Sequence, residues 1–210
     1  MSDFLNEFVP LLHSIPDEAE SIKYVLSELI RNAFEHSYSK MGVVVCAQYY
    51  KKAQKIAVGI VDRGIGIYKS MEKFHPVKSN LESIELALRP GISGTTANLG
   101  GNDYNAGAGL FFTKGIAIHS RKHFLIYTGD AMFKLGKTNA RHKVKLVADP
   151  KLDRATRFEG LPNFTGTAIG IDLSIEKNDD FKDLFKLIYE SYNLETRKKK
   201  KEAYKKARFE

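Results

Sequence analysis

"KIAVGIVDRGIGI" (residues 55–67) is an apolar, partly β-branched run that stops at Asp62 and passes at once into glycines at 64 and 66. The run predicts a buried strand. A carboxylate at the end of such a strand needs a donor, and the exocyclic amine of a flat heterocycle is one that fits. Gly64 and Gly66 would let the backbone approach that ring closely. A tight turn after a strand favours the same residue types, so the motif alone is weak.

The flanking sequence extends the reading. "GVVVCAQYYKK" upstream is a second strand-like run, and a short polar turn around Lys52 to Gln54 predicts an antiparallel hairpin. Before it, residues 17–39 begin with an acidic turn and carry Ile22, Val25, Leu26, Leu29, Ile30, Ala33 and Phe34 at helical spacing, with one face buried. On this helix Glu28, Asn32, Glu35 and His36 fall on one face. The Asn32 carbonyl is a hard oxygen suited to Mg²⁺, and Glu28, one turn earlier, could take a proton from water. For the helix alone, a solvated polar face is the simpler reading.

Downstream, residues 68–106 hold a short helical pattern at "NLESIELAL" and then "RPGISGTTANLGGNDYNAG", a long stretch without hydrophobic periodicity. In "NAGAGLFFTKGIA", Gly107 and Gly109 precede a helix, so free N–H groups would face an anion. Strand-like "HFLIYTG", "AMFKLG" and "HKVKLVA" follow, then an irregular polar stretch and "GTAIGIDLSI", where the Thr167 hydroxyl could assist Asp62. An amphipathic helix from Asp179 carries Phe181, Leu184, Phe185, Leu187, Ile188 and Tyr192. Helices and a largely antiparallel, mixed sheet would segregate into an α+β two-layer sandwich with helices on one face.

Composition bounds the function. With 210 residues and 43% hydrophobic content, one domain is expected over residues 1–194. No long apolar run or signal peptide is visible, so the chain reads as soluble and cytoplasmic, with no membrane partner. Cys46, the one cysteine, reads as a small buried hydrophobe. Of the net charge of +8, residues 195–210 supply +5, from eight Lys/Arg and three Asp/Glu. This basic tail reads as a solvated helix or frayed terminus, or as the start of a further segment; nucleic-acid contact through it is not favoured. "AMFKLGKT" (131–138) matches a loose phosphate-loop pattern, but its bulky alternating residues read as strand and turn. His13 lies too close to the first helix to serve as the phosphoacceptor of a sensor kinase.

In this order, "ELIRNAFEH", "DRGIG", "NAGAGLF" and a late "GT" resemble the N box, glycine boxes and last adenine-side element of the GHKL superfamily. Its members are the gyrase ATPase subunits, the ninety-kilodalton heat-shock chaperones, sensor histidine kinases, MutL and the anti-sigma serine kinases. The resemblance spans about residues 17–175 and implies a Bergerat-type fold that binds ATP with Mg²⁺. It implies that Asn32 coordinates the metal, that Asp62 aided by Thr167 holds the adenine amine, and that Gly64 and Gly66 shape the base pocket. Gly107 and Gly109, with Leu110 beside them, would cradle phosphates, Glu28 would be the general base, and residues 68–106 would be the ATP lid. Glu35 departs from the basic residue common in kinases, whereas His36 matches them. Three outcomes stay open: an ATPase, a kinase acting on a protein partner, or a non-catalytic switch module.

Overall fold

The computed structural model describes residues 16–97, 108–136, 146–174 and 181–206. Helix α1 spans Pro16–His36 and the hairpin β1 (Val43–Tyr50) and β2 (Lys55–Asp62) follows, paired antiparallel from Val43 opposite Asp62 to Tyr50 opposite Lys55. Two short helices, α2 (Gly66–Met71) and α3 (Asn80–Ala87), lead to α4 (Gly109–His119). Strands β3 (Phe124–Gly129), β4 (Ala131–Leu135), β5 (Ala155–Phe158) and β6 (Phe164–Ser174) complete the sheet, and α5 (Phe181–Lys206) is the last described element.

The six strands run in the order β1-β2-β6-β3-β4-β5, and every described pairing is antiparallel. The parallel component of the expected mixed sheet is therefore not found among the described strands. Alternation decides which face is buried. Ile56, Val58 and Ile60 of β2, Phe124 and Ile126 of β3, Phe133 and Leu135 of β4 and Ile171 and Leu173 of β6 point into one core. Helices α1 to α4 contact the sheet and bury Val25, Leu26, Leu29, Ile84 and Phe111 in the same core, giving the expected two-layer α+β sandwich. Helix α5 packs on α1 and α4, with Ile188 seated against Gly115.

Several local expectations change. Phe34 is 63% exposed, because it lies about 100° round the helix from buried Ala33. Cys46 is exposed rather than buried: β1 is an edge strand, and alternation puts the thiol on the outer face beside Gly59. Leu187 is half exposed while its neighbour Ile188 is fully buried. Of "HKVKLVA", residues 142–145 and the start of the last helix at Asp179 lie outside the described residues, and Leu146 to Ala148 form no strand. The fifth strand is Ala155–Phe158, within the stretch expected to be irregular. Its inward Arg157 is answered by buried Glu85 of α3 at 2.8 Å, a charge pattern typical of a protected sheet edge. In the phosphate-loop-like segment, Ala131 to Leu135 form β4 as expected, and Lys137 and Thr138 lie outside the described residues.

Helix α4 is fastened from behind by a buried ion pair. Lys114, fully buried, donates to Asp153 at 2.7 Å and to the Val147 carbonyl at 3.0 Å. Burial pulls the Lys114 pKa down and the Asp153 pKa up, and each partner opposes the shift of the other. Removing one member leaves the other charge uncompensated. Asp153→Ala is expected to cost about 3–5 kcal/mol in urea unfolding, and the double change Asp153→Leu with Lys114→Met markedly less.

Candidate functional site

The C-terminal end of β2 and the C-terminal end of α1 are held together by backbone. The Ile65 N–H donates to the Ser37 carbonyl at 2.8 Å, and a Cβ on Gly64 would overlap that same carbonyl. Gly64 is thus required by close approach to α1, and it does not line the cleft that opens beside it. Gly66 does line it, with φ of +77° that a side chain would strain.

That cleft brings together Asn32 and His36 of α1, Asp62 of β2, Gly66 and Ile67 of α2, Gly109 and Leu110 of α4, and Thr167 of β6. Leu29, Ala33, Ile60, Met71, Ile92 and Ile169 give it apolar walls. Six of the sequence-predicted residues therefore meet on one surface: Asn32, Asp62, Gly66, Gly109, Leu110 and Thr167. Gly107 lies outside the described residues. Glu28 does not line the cleft; it stands directly behind Gly109, where a Cβ would overlap its carboxylate. Glu35 is exposed.

Asp62 is the unusual charge. Five carboxylates are buried among the described residues, and four face a cation: Glu28 with Arg31, Glu85 with Arg157, Asp153 with Lys114 and Asp172 with Lys55. Asp62, only 5% exposed, makes no such pair among the described residues. Its Oδ1 accepts from the Gly64 N–H at 2.9 Å, and Thr167 sits opposite it in the β2–β6 register. Burial pushes its pKa up, against the N–H groups of Gly64 and Thr167, which favour the ionised form. A buried carboxylate without a cation is a high-energy acceptor suited to a neutral N–H donor.

Glu28 is differently placed. Its Oε2 lies 2.6 Å from the Arg31 guanidinium, yet burial dominates and raises its pKa, with Arg31 lowering and Glu35 adding to it. Burial lowers the pKa of His36, which therefore favours neutral imidazole. Among the described residues no three His, Cys, Asp or Glu side chains converge as a metal cage.

Sequence reasoning missed Ser37 and Ile92 to Gly94. Ile92, Ser93 and Gly94 fall in the glycine-rich stretch whose length already pointed to function, and they form part of the cleft wall. Ser37 acts through its carbonyl, which no side-chain pattern reveals. Gly64→Ala is expected to destabilise the fold by roughly 1–3 kcal/mol or more in urea melts. Because the folded pKa of Asp62 is raised, its contribution is present at low pH and is lost as pH rises from the ordinary carboxylate value through the raised one. Asp62→Asn should flatten that decline, a change measured by denaturation across a pH series.

No protein-family model matches the chain. Over 85 residues the chain is 31% identical to an anti-sigma F factor from Clostridium acetobutylicum, a similarity covering 39% of this chain and 57% of that protein. The chain thus spans a little over half the length of this curated relative.

Proposed function

We propose that the chain is a nucleotide-binding domain of the GHKL kind that takes ATP with Mg²⁺ and acts on its γ-phosphate. The observation that carries this reading is Asp62, a buried carboxylate without a cationic partner among the described residues, in a cleft that also reaches the N-terminus of α4. Adenine fits this wall. Its exocyclic amine can donate to Asp62, whereas guanine held in the same pose would turn its O6 carbonyl toward the carboxylate. The Thr167 hydroxyl lies on the same side, and apolar walls suit the faces of the base.

At the other group of residues, α4 begins at Gly109, and its unsatisfied N–H groups and helix dipole favour phosphate oxygens. Gly107 and Leu110 complete that cradle in this reading. Asn32 is a suitable oxygen donor for Mg²⁺, and phosphates and water would supply the rest of the shell. Bound Mg²⁺ would offset phosphate charge. In this reading Glu28, raised in pKa and standing behind Gly109, would take a proton from an attacking water or hydroxyl. The lid, in the same reading, is the stretch 68–106, within which Ile84 and Leu88 are anchored in the core.

The relative's name points to a protein that opposes a sigma factor. A protein partner is therefore favoured over nucleic acid in this reading. The second reading is a nucleotide-dependent switch without turnover. The ion pair between Glu28 and Arg31 favours it, because that contact occupies the base. No described helix is long and apolar enough to cross a membrane.

Incubation with Mg²⁺ and γ-labelled ATP separates the readings: free phosphate marks an ATPase, labelled protein a kinase, and intact bound ATP the switch. Asp62→Asn is expected to abolish ATP binding and keep the fold. Glu28→Ala should keep binding and stop release or transfer of label; normal turnover in this variant would remove Glu28 from its role. Since the ionised carboxylate is the active form, turnover should fall as pH drops, on a limb lying above the ordinary carboxylate range, and any residual turnover of Glu28→Gln should lack that limb.

A further inference from the structure

The geometry points to Thr128 of β3 as the positioning residue that sets base selectivity in this cleft, an inference that rests on the ATP reading above. Thr128 is 1% exposed, and its hydroxyl joins two segments that are distant in sequence. It donates to the Gly166 carbonyl at 2.7 Å and accepts from the Ile67 N–H at 3.3 Å. One segment carries Gly66 and Ile67 just after Asp62. The other carries Thr167.

The surroundings leave the hydroxyl little freedom. A Cβ on Gly66 would come within 2.8 Å of Thr128 Oγ1 and 3.3 Å of the Gly166 carbonyl. Gly166 has φ of +116°, and a Cβ there would overlap the Asp62 carbonyl. In the β3–β6 register Thr128 sits opposite Thr167, which itself sits opposite Asp62 in the β2–β6 register. Asp62, Thr167 and Thr128 thus form one row across three strands, with the base-facing groups on the first two and the tie on the third.

A single hydroxyl therefore spaces the Gly66 backbone relative to the Thr167 side chain. That spacing fixes where a ring can lie when its amine reaches Asp62. Valine at this position keeps the shape and loses both hydrogen bonds, freeing the Gly66–Ile67 turn to shift. Loss of alignment weakens adenine more than guanine, because adenine alone depends on the Asp62 contact. Thr128 touches the polypeptide and acts through it.

The test is the affinity for ATP and for GTP, with Mg²⁺, of the wild-type chain, Thr128→Val and Thr128→Ser, alongside hydrogen exchange over residues 63–69. Thr128→Val is expected to weaken ATP roughly tenfold or more, to narrow the ATP-over-GTP ratio, and to speed exchange at the Ile67 amide. Thr128→Ser, which keeps the hydroxyl, should restore all three. Should the valine variant not fold, Thr128→Ala carries the same comparison against serine. An unchanged ratio in a folded valine or alanine variant overturns the inference, as does a serine variant equally impaired. A wild-type chain that binds neither nucleotide overturns the ATP reading and this one together, so the two failures are told apart.

Discussion

The Ser37 carbonyl occupies space that any side chain on Gly64 would need, and it accepts from Ile65 in the same place. This approach locks the end of α1 to the end of β2. Asn32 lies a little over one turn before that junction on the helix and His36 immediately before it, and Asp62 ends the strand two residues before Gly64. The relative position of the amide, the imidazole and the carboxylate therefore depends on one backbone contact. Spread the junction and the cleft between α1, β2 and β6 loses its shape, however well each element is formed.

The buried charges divide by purpose. Lys114 with Asp153, and Arg157 with Glu85, fasten α4 and the protected edge strand to the rest of the fold. They gain little net stability over apolar substitutes, but each is costly to break. Among the described residues Asp62 meets only backbone N–H groups, which oppose the upward pull of burial and leave carboxylate lone pairs for a ligand. Placing such a group in the core is a destabilising choice in the free protein, and a donor that satisfies it gains correspondingly more on binding.

Much of this was legible from residues 55–67 outward. The apolar, β-branched run placed β2, and its pairing with β1 followed from the short polar turn between them. Helical spacing placed α1, and with it the face that presents Asn32 and His36. What escaped the sequence was tertiary. Strand β5 consists of Ala155, Thr156, Arg157 and Phe158, and it is Glu85, together with the Pro150 and Ala155 carbonyls, that makes an inward arginine acceptable there. Cys46 lies in an apolar run but on an outer face, because burial follows the layer a strand borders and not its hydrophobicity alone. Ser37 and Thr128 contribute through groups that register and chain crossing bring together.

The sheet order carries a consequence for how the chain is made. Strand β6 is the last strand in sequence, yet it lies between β2 and β3. The β1–β2 hairpin and the β3–β4–β5 meander can each form locally, but neither completes the core until β6 inserts between them and pairs with both. More than a hundred residues separate Asp62 from its cross-strand partner Thr167, so the central ladder is a high-contact-order closure. During synthesis the N-terminal hairpin must wait on the ribosome with the β2 edge unpaired, and any product truncated before residue 164 would expose two sheet edges prone to self-association.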